Sequence, residues 1–285
     1  MIMNHKTKKV YKLLGFVFIL MVLTGCTSNV DENGVLLAER AINNSTEWSM
    51  SAGWFDFLFV IPISKTIIYI SEHIGNIAVG VVLVTVLINL LILPIMIKST
   101  TSSQKIQLIQ PEIQDIQRKY KGRKDQASQM RMSQEIQNLY KKHDVSMFSS
   151  FSTFLTLPIM LAMYQAVQRI EILYNASLFG IKLGDKPMDH IFTMDIGYIL
   201  LVLAVGVFQF YAMRITTIMA KRNPRYRETA MTRQMNTTNY FMTAMIVYFA
   251  AIMPAAMSLY WITTSIIGIA RTVYIQFHHV EKKRK

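Results

Sequence analysis

The chain has 285 residues, of which 52% are apolar and only 16% charged, and its net charge is +13. A soluble domain with that much apolar surface would not stay dispersed, and apolar runs approaching ~20 residues place the chain among polytopic membrane proteins. One cysteine excludes an intrachain disulfide framework, and the six histidines, His278-His279 apart, are too scattered to form a metal site.

Residues 1–25 read as a signal peptide. Lys6, Lys8, Lys9 and Lys12 precede a short apolar core that ends in Leu23-Thr24-Gly25-Cys26. Small residues before a cysteine are the lipobox pattern of bacterial lipoproteins, in which the thiol carries a diacylglyceryl group. The alternative is an uncleaved first span with an incidental cysteine. Lipidation of Cys26 puts the mature N-terminus on the outer surface of a bacterial plasma membrane. Residues 26–53 are polar and read as an extracellular linker. Residues 54–75 are apolar and aromatic but interrupted by Pro62 and Lys65. With Trp48 and Trp54 beside it, this stretch is expected to be a helix lying in the outer interface rather than a span.

The first span is expected over residues 76–98. Its one strongly polar residue is Asn89, with Thr85 a turn earlier on the same face. Asn89 lies nine residues before Lys98, about 13 Å into the membrane. Pro94 is a kink site. Two readings of Asn89 stand: an interhelical hydrogen bond that holds the bundle together, and the lining of a polar cavity.

Residues 99–145 are expected to fold as a cytoplasmic helical hairpin. Lys105 to Lys142 holds nine of the chain's 30 Lys and Arg. Ile106, Ile109, Ile113, Ile116 and Tyr120, then Met132, Ile136, Leu139 and His143, recur at steps of three and four, the period of one helix face. Gly122 marks the turn between the halves. The basic faces suit anionic lipid head groups or ribosomal RNA; the alternative is a solvated loop that only sets topology.

The second span is expected over residues 146–168, with Ser149, Ser150, Ser152, Thr153 and Thr156 in its cytoplasmic half and Pro158 mid-span. Residues 169–195 form an external loop, and residues 196–213 a third span with Gln209 near its inner end. Residues 214–236 carry Arg214, Lys221, Arg222, Arg225, Arg227 and Arg233 and are expected on the cytoplasmic side. The following apolar stretch admits one long tilted helix or two spans. Basic segments at both of its ends require an even number of crossings, so the chain turns at Met253-Pro254-Ala255-Ala256 between spans 237–254 and 255–277, before a basic tail, 278–285.

The expected fold class is therefore an all-α polytopic membrane protein, with five transmembrane helices around a hydrophilic groove open to the cytoplasm. Thr85, Asn89, Ser152, Thr153, Thr156, Gln209, Ser258, Tyr260, Thr263 and Thr264 supply neutral polar groups for such a lining, against the blander reading of hydroxyl contacts between packed helices. Twenty methionines suit a surface that accepts varied apolar segments, although membrane chains are Met-rich in general. No catalytic constellation, phosphate loop or intramembrane carboxylate pair stands out, so neither an enzyme nor a proton-coupled transporter is expected.

The stretches LILPIMIKSTTSSQKIQLIQPEIQDIQRKYK, FLTLPIMLAMYQAV and IMPAAMSLYWITTSIIGIART resemble, in that order, the first core span with its hairpin, the second span and the final helical pair of the YidC/Oxa/Alb family of membrane protein insertases, in its Gram-positive lipoprotein form. The resemblance covers residues 54–276 and includes Gln110-Pro111-Glu112 and Leu259-Tyr260-Trp261. It implies an insertase and chaperone for nascent membrane proteins, acting alone or with the Sec translocon and the ribosome, without cofactor or metal. It also implies that Thr85, Tyr260 and Trp261, and more loosely Gln209, face the groove or substrate. Family members usually carry arginine where this chain has Asn89, which keeps hydrogen bonding but removes the positive field. A scaffold that assembles membrane complexes without inserting them, and a small-solute channel, are the rival readings.

Overall fold

The computed structural model describes residues 29, 36–123, 125–145, 151–224 and 226–281, without the side chains of 151–155 and 279–281. The signal peptide, Cys26 and residues 282–285 lie outside the described residues, as do Ser149 and Ser150 and the side chains of Ser152 and Thr153. The described structure is helical apart from turns and one small β-hairpin. Its main helices are α1 (Ile61–Ile74), α2 (Ile77–Leu91), α3 (Leu93–Lys119), α4 (Gln126–Lys142), α5 (Phe151–Arg169), α6 (Glu171–Tyr174), α7 (Pro187–Ile191), α8 (Ile196–Lys221), α9 (Ala230–Ile252) and α10 (Ala255–Ile275). By length and composition, Asp56–Ile74 and Ile196–Lys221 are able to cross a membrane. So is the pair α2 and α3 taken together, which bends by 68° at Ile92. Pro94 stands at the start of α3, where its missing N–H costs nothing.

Two compact units emerge. The first comprises the described part of Met1–Thr85 with Phe154–Leu201 and Ala250–Tyr260. Pro62 does not interrupt its first helix. A π-turn over Asp56–Val60 precedes it, with the Ile61 N–H bonded to the Asp56 carbonyl, and the widened turn accommodates the proline ring. Gly75, in the left-handed region at φ 77°, closes α1 through a 2.7 Å bond to Ser71 O.

The N-terminal segment is tied into this unit. Ile42 and Ile170 form a parallel bridge, both fully buried. Asn29 Nδ2 donates to Gln165 and Gln168 at 2.7 and 2.9 Å. Arg169 Nε donates to Arg40 O, and its Nη1 meets Asp56 Oδ2 at 2.6 Å. The loop between α5 and α8 contains a two-residue β-hairpin, β1 (Ser177–Leu178) and β2 (Ile181–Lys182), turned by Phe179 and Gly180 at φ 51° and 84°. Gly184 follows; a Cβ there would lie 2.3 Å from Tyr174 O, so only glycine fits. The loop receives the expected turn at Pro254: Ala255 and Ala256 N–H donate to Asp185 and Leu183 carbonyls at 2.9 and 3.0 Å.

The second unit comprises Val86–Thr153, Val202–Phe249 and Trp261–Lys285, again in its described part. Here α3 and α4 form the expected hairpin. Ile109, Ile113, Leu139 and Val145 make its core, flanked by Ile106, Ile116, Ile136 and Tyr140. Gly122 turns the chain at φ 88°, and Asp125 caps α4 by accepting the Ser128 N–H at 2.8 Å. Three helices run past the boundaries that hydropathy suggests. α3 begins inside the first expected span, α8 continues to Lys221, and α9 starts at Ala230. Backbone i→i−4 bonds are made equally well in water and in lipid, so polarity marks the expected membrane edge and not the helix end.

Glu135 accepts from Lys119 Nζ at 2.6 Å and from Tyr120 OH at 2.7 Å. The hydrogen bond from Lys119, then that from Tyr120, holds its carboxyl below the usual range, while Lys119 is raised by the same bond. A carboxylate with a depressed folded pKa adds stability that is present above its unfolded value and lost as pH falls through the folded value. Hydrogen exchange across the hairpin is therefore expected to be faster in Glu135→Gln than in wild type at pH 7. The difference should vanish well below about pH 4.3, the ordinary glutamate value; a difference that persists there would discount the pair.

Candidate functional site

The polar residues singled out in the sequence are held inside helices. In the first unit, Asn76 starts α2 by accepting the Ala78 and Val79 N–H groups at 3.0 and 3.2 Å. That start sets the face on which Thr85 is fully buried, where its hydroxyl donates to Val81 O at 2.7 Å. A threonine bonded to its own helix is spared the cost of burial. Ser258 and Tyr260, on α10, are buried in the same unit, and the Ser258 hydroxyl has no protein partner among the described residues.

In the second unit, Asn89, Gln209 and Trp261 are all buried. Gln209 Oε1 accepts from Ser265 Oγ at 2.9 Å, which joins α8 to α10 through side chains 56 positions apart. Ser265 was not among the expected residues; it lies four positions after Trp261, on the same face. Thr264 Oγ1 is buried without a protein partner among the described residues.

A second polar set lies along α3. Gln104, Gln107 and Gln110 are buried at intervals of three, and Gln104 Nε2 donates to Thr272 O of α10 at 3.3 Å. Both amide atoms of Gln110 and the Oε1 atoms of Gln104 and Gln107 have no protein partner among the described residues. Buried amides of this kind call for water. Hydropathy alone reads glutamine as a solvated face. The signal that could have found them was their helical spacing, which continues in steps of four and three to Gln114 and Gln117.

Nearer the turn of the hairpin, a recess of about 480 Å³ opens between the end of α3 and the start of α9. Arg118, Lys121 and Arg233 line it with Glu228, and Arg233 lies 3.6 Å from the Glu228 carboxylate. Arg118 also lies 3.7 Å from Asp115, and three cations against two carboxylates still favour an anionic or acidic partner. No group of three or more His, Cys, Asp or Glu among the described residues is placed to hold a metal.

The 60Kd inner membrane protein family model matches residues 69–283. The chain is 32% identical over 278 residues to the membrane protein insertase MisCA of Bacillus subtilis, covering 96% of this chain and 94% of the relative. It is 32% identical over 270 residues to membrane protein insertase YidC 1 of Halalkalibacterium halodurans, covering 94% and 91%. Membrane protein insertase YidC 2 of Bacillus anthracis is 31% identical over 271 residues, with 94% of each chain covered.

Proposed function

The chain belongs to the 60Kd inner membrane protein family, the YidC/Oxa/Alb insertases, and from that premise we propose how it works as a membrane protein insertase. It is an all-α membrane protein that receives nascent membrane proteins. Five spans, over residues 76–98, 146–168, 196–213, 237–254 and 255–277, surround a hydrophilic groove open to the cytoplasm. Residues 54–75 stay in the outer interface although their helix is long enough to cross. A sixth crossing would put the basic segments at 105–142, 214–236 and 278–285 outside, against the positive-inside preference. Cys26 carries the lipid that anchors the mature N-terminus on the outer surface.

The observation that carries the groove is the concentration of buried neutral polar side chains in the second unit: Asn89, the Gln209–Ser265 pair and the glutamine row of α3. An apolar bundle would have no use for so many amides. A hydrated interior gives the polar flank of a substrate a place to pass, which lowers the cost of moving it through hydrocarbon. The apolar segment then partitions sideways into lipid, and its burial drives the step. Thr85, Asn89, Gln209, Tyr260 and Trp261 line the path. No covalent step is involved. The basic hairpin and the recess at Arg118, Lys121 and Arg233 contact the ribosome, the Sec translocon or anionic lipid.

A photo-crosslinker at position 89, active during translation of a single-span substrate, is expected to trap the nascent chain. Adducts only with finished partner subunits would favour a scaffold instead. Asn89→Arg restores a positive field and is expected to widen the range of acidic-tailed substrates inserted. An unchanged range in a substrate panel would show that the field at this position is immaterial.

A further inference from the structure

Between α8 and α9 the second unit carries an apolar cleft of about 510 Å³. Val202, Gly206, Val207 and Phe210 line one wall, and Thr243 and Val247 the other. Gly206 brings the helices close: a Cβ there would lie 3.2 Å from Val247 Cγ2. The wall on α8 reaches from Val202 to Tyr211, nine helical steps or about 14 Å. One leaflet of hydrocarbon is about 15 Å deep, half of a core about 30 Å thick.

One turn beyond Phe210 stands Arg214. Its guanidinium lies 5.7 Å from the Phe210 ring and 5.2 Å from the Tyr240 ring, and Nη1 donates to the Tyr240 hydroxyl. Among the described residues no Asp or Glu is within ion-pair distance of it. A guanidinium has five N–H donors in a planar fork suited to a phosphate. Two rings hold this one in place, and its charge has no counter-ion among the described residues.

We propose that this cleft binds one anionic phospholipid of the cytoplasmic leaflet, with an acyl chain between α8 and α9 and the phosphate on Arg214. Three features select that occupant. The cleft is apolar along its length, it is about as deep as one leaflet, and it ends on a cation that pairs with no acidic side chain among the described residues. A substrate helix would fill the apolar part but has no fixed anion for Arg214. A zwitterionic lipid would bring its own cation to the same place. The site is distinct from the basic face of the hairpin and does not depend on how substrates move.

The test uses the full-length protein in nanodiscs of equal phosphatidylglycerol and phosphatidylcholine, followed by release into detergent and native mass spectrometry. Wild type is expected to retain one phosphatidylglycerol. Arg214→Gln should lower its preference over phosphatidylcholine by about tenfold, the size of one lost charge-assisted contact. Arg214→Lys should restore part of that preference, which separates loss of charge from misfolding. Val207, 54% exposed, tolerates enlargement, so Val207→Phe should fill the cleft and release both lipids without disturbing the core. Equal retention of the two lipids by wild type, or an unchanged ratio in Arg214→Gln, would reduce the cleft to ordinary lipid contact and overturn the proposal. So would a photo-crosslinker at position 207 that captures nascent chains in place of lipid.

Discussion

Arg169→Met is expected to lower the stability of the folded chain by about 3–5 kcal/mol, the cost of stranding one member of a buried ion pair. The Arg169 and Asp56 side chains are only 8% and 15% exposed, and their contact is 2.6 Å. Arg169 ends α5, Asp56 opens the π-turn before α1, and Arg40 supplies a carbonyl to the same guanidinium. One side chain therefore ties the N-terminal segment, the π-turn before α1 and the end of α5 together. Thermal melts in detergent should show a large fall for Arg169→Met and for Asp56→Asn. The double variant Asp56→Leu with Arg169→Met should recover part of it, because no charge is then left buried alone. A single variant that melts with wild type would mean that the pair is hydrated and structurally idle.

Leu139→Asp is expected to cut insertion of a single-span substrate by about tenfold or more, a loss of at least about 1.4 kcal/mol in productive capture. The carboxylate would sit among Ile109, Ile113 and Val145. An unpaired charge there costs more than a two-helix hairpin with so small a core can absorb. The membrane-spanning helices should stay folded, since the hairpin's hydrophobic cluster is its own. Proteoliposome insertion assays give the functional readout. Limited proteolysis near Gly122, compared with the melting of the remainder, shows which part has opened. Replacement of residues 107–144 by a glycine-serine linker should have the same effect. Full activity with an opened or absent hairpin would remove it from substrate capture and leave it a charged loop that fixes topology.

The two variants also distinguish what each unit contributes. The first is predicted to weaken the fold with activity falling only as folded protein is lost. The second is predicted to abolish activity in a chain that remains largely folded. If both changed stability alone, the hairpin would be a structural brace rather than a receiving element.

Much of the fold was legible because it is written in local periods. Apolar runs and basic segments identified a membrane protein, and the spacing of Ile106, Ile109, Ile113, Ile116, Ile136 and Leu139 identified the face on which the hairpin closes. Gly75, Gly122 and Pro254 marked a helix end and two turns that the structure contains. Three stretches in order, one containing the run from Gln110 to Glu112 and the last the run from Leu259 to Trp261, placed the family. Each of these features is short-range, or is read from composition, and needs no knowledge of which distant residues meet.

Only the tertiary structure decided the rest, and for one physical reason: each missing feature is a contact between positions far apart in the chain. Arg169 looks like a loop cation until Asp56, 113 residues earlier, is seen beside it. Gln209 gains a partner in Ser265, 56 residues on. The glutamines of α3 have solvated composition and buried positions, and one of them, Gln104, reaches the Thr272 carbonyl 168 residues on. Pro62 reads as an interruption, yet a π-turn before it keeps the helix intact. Gly206 is an unremarkable small residue in the sequence; only its approach to Val247 makes a cleft, and only Tyr240 and Phe210 hold Arg214 at the end of it. Period and charge determined what kind of protein this is, whereas packing between distant segments determined where its polar interior, its ion pair and its lipid cleft lie.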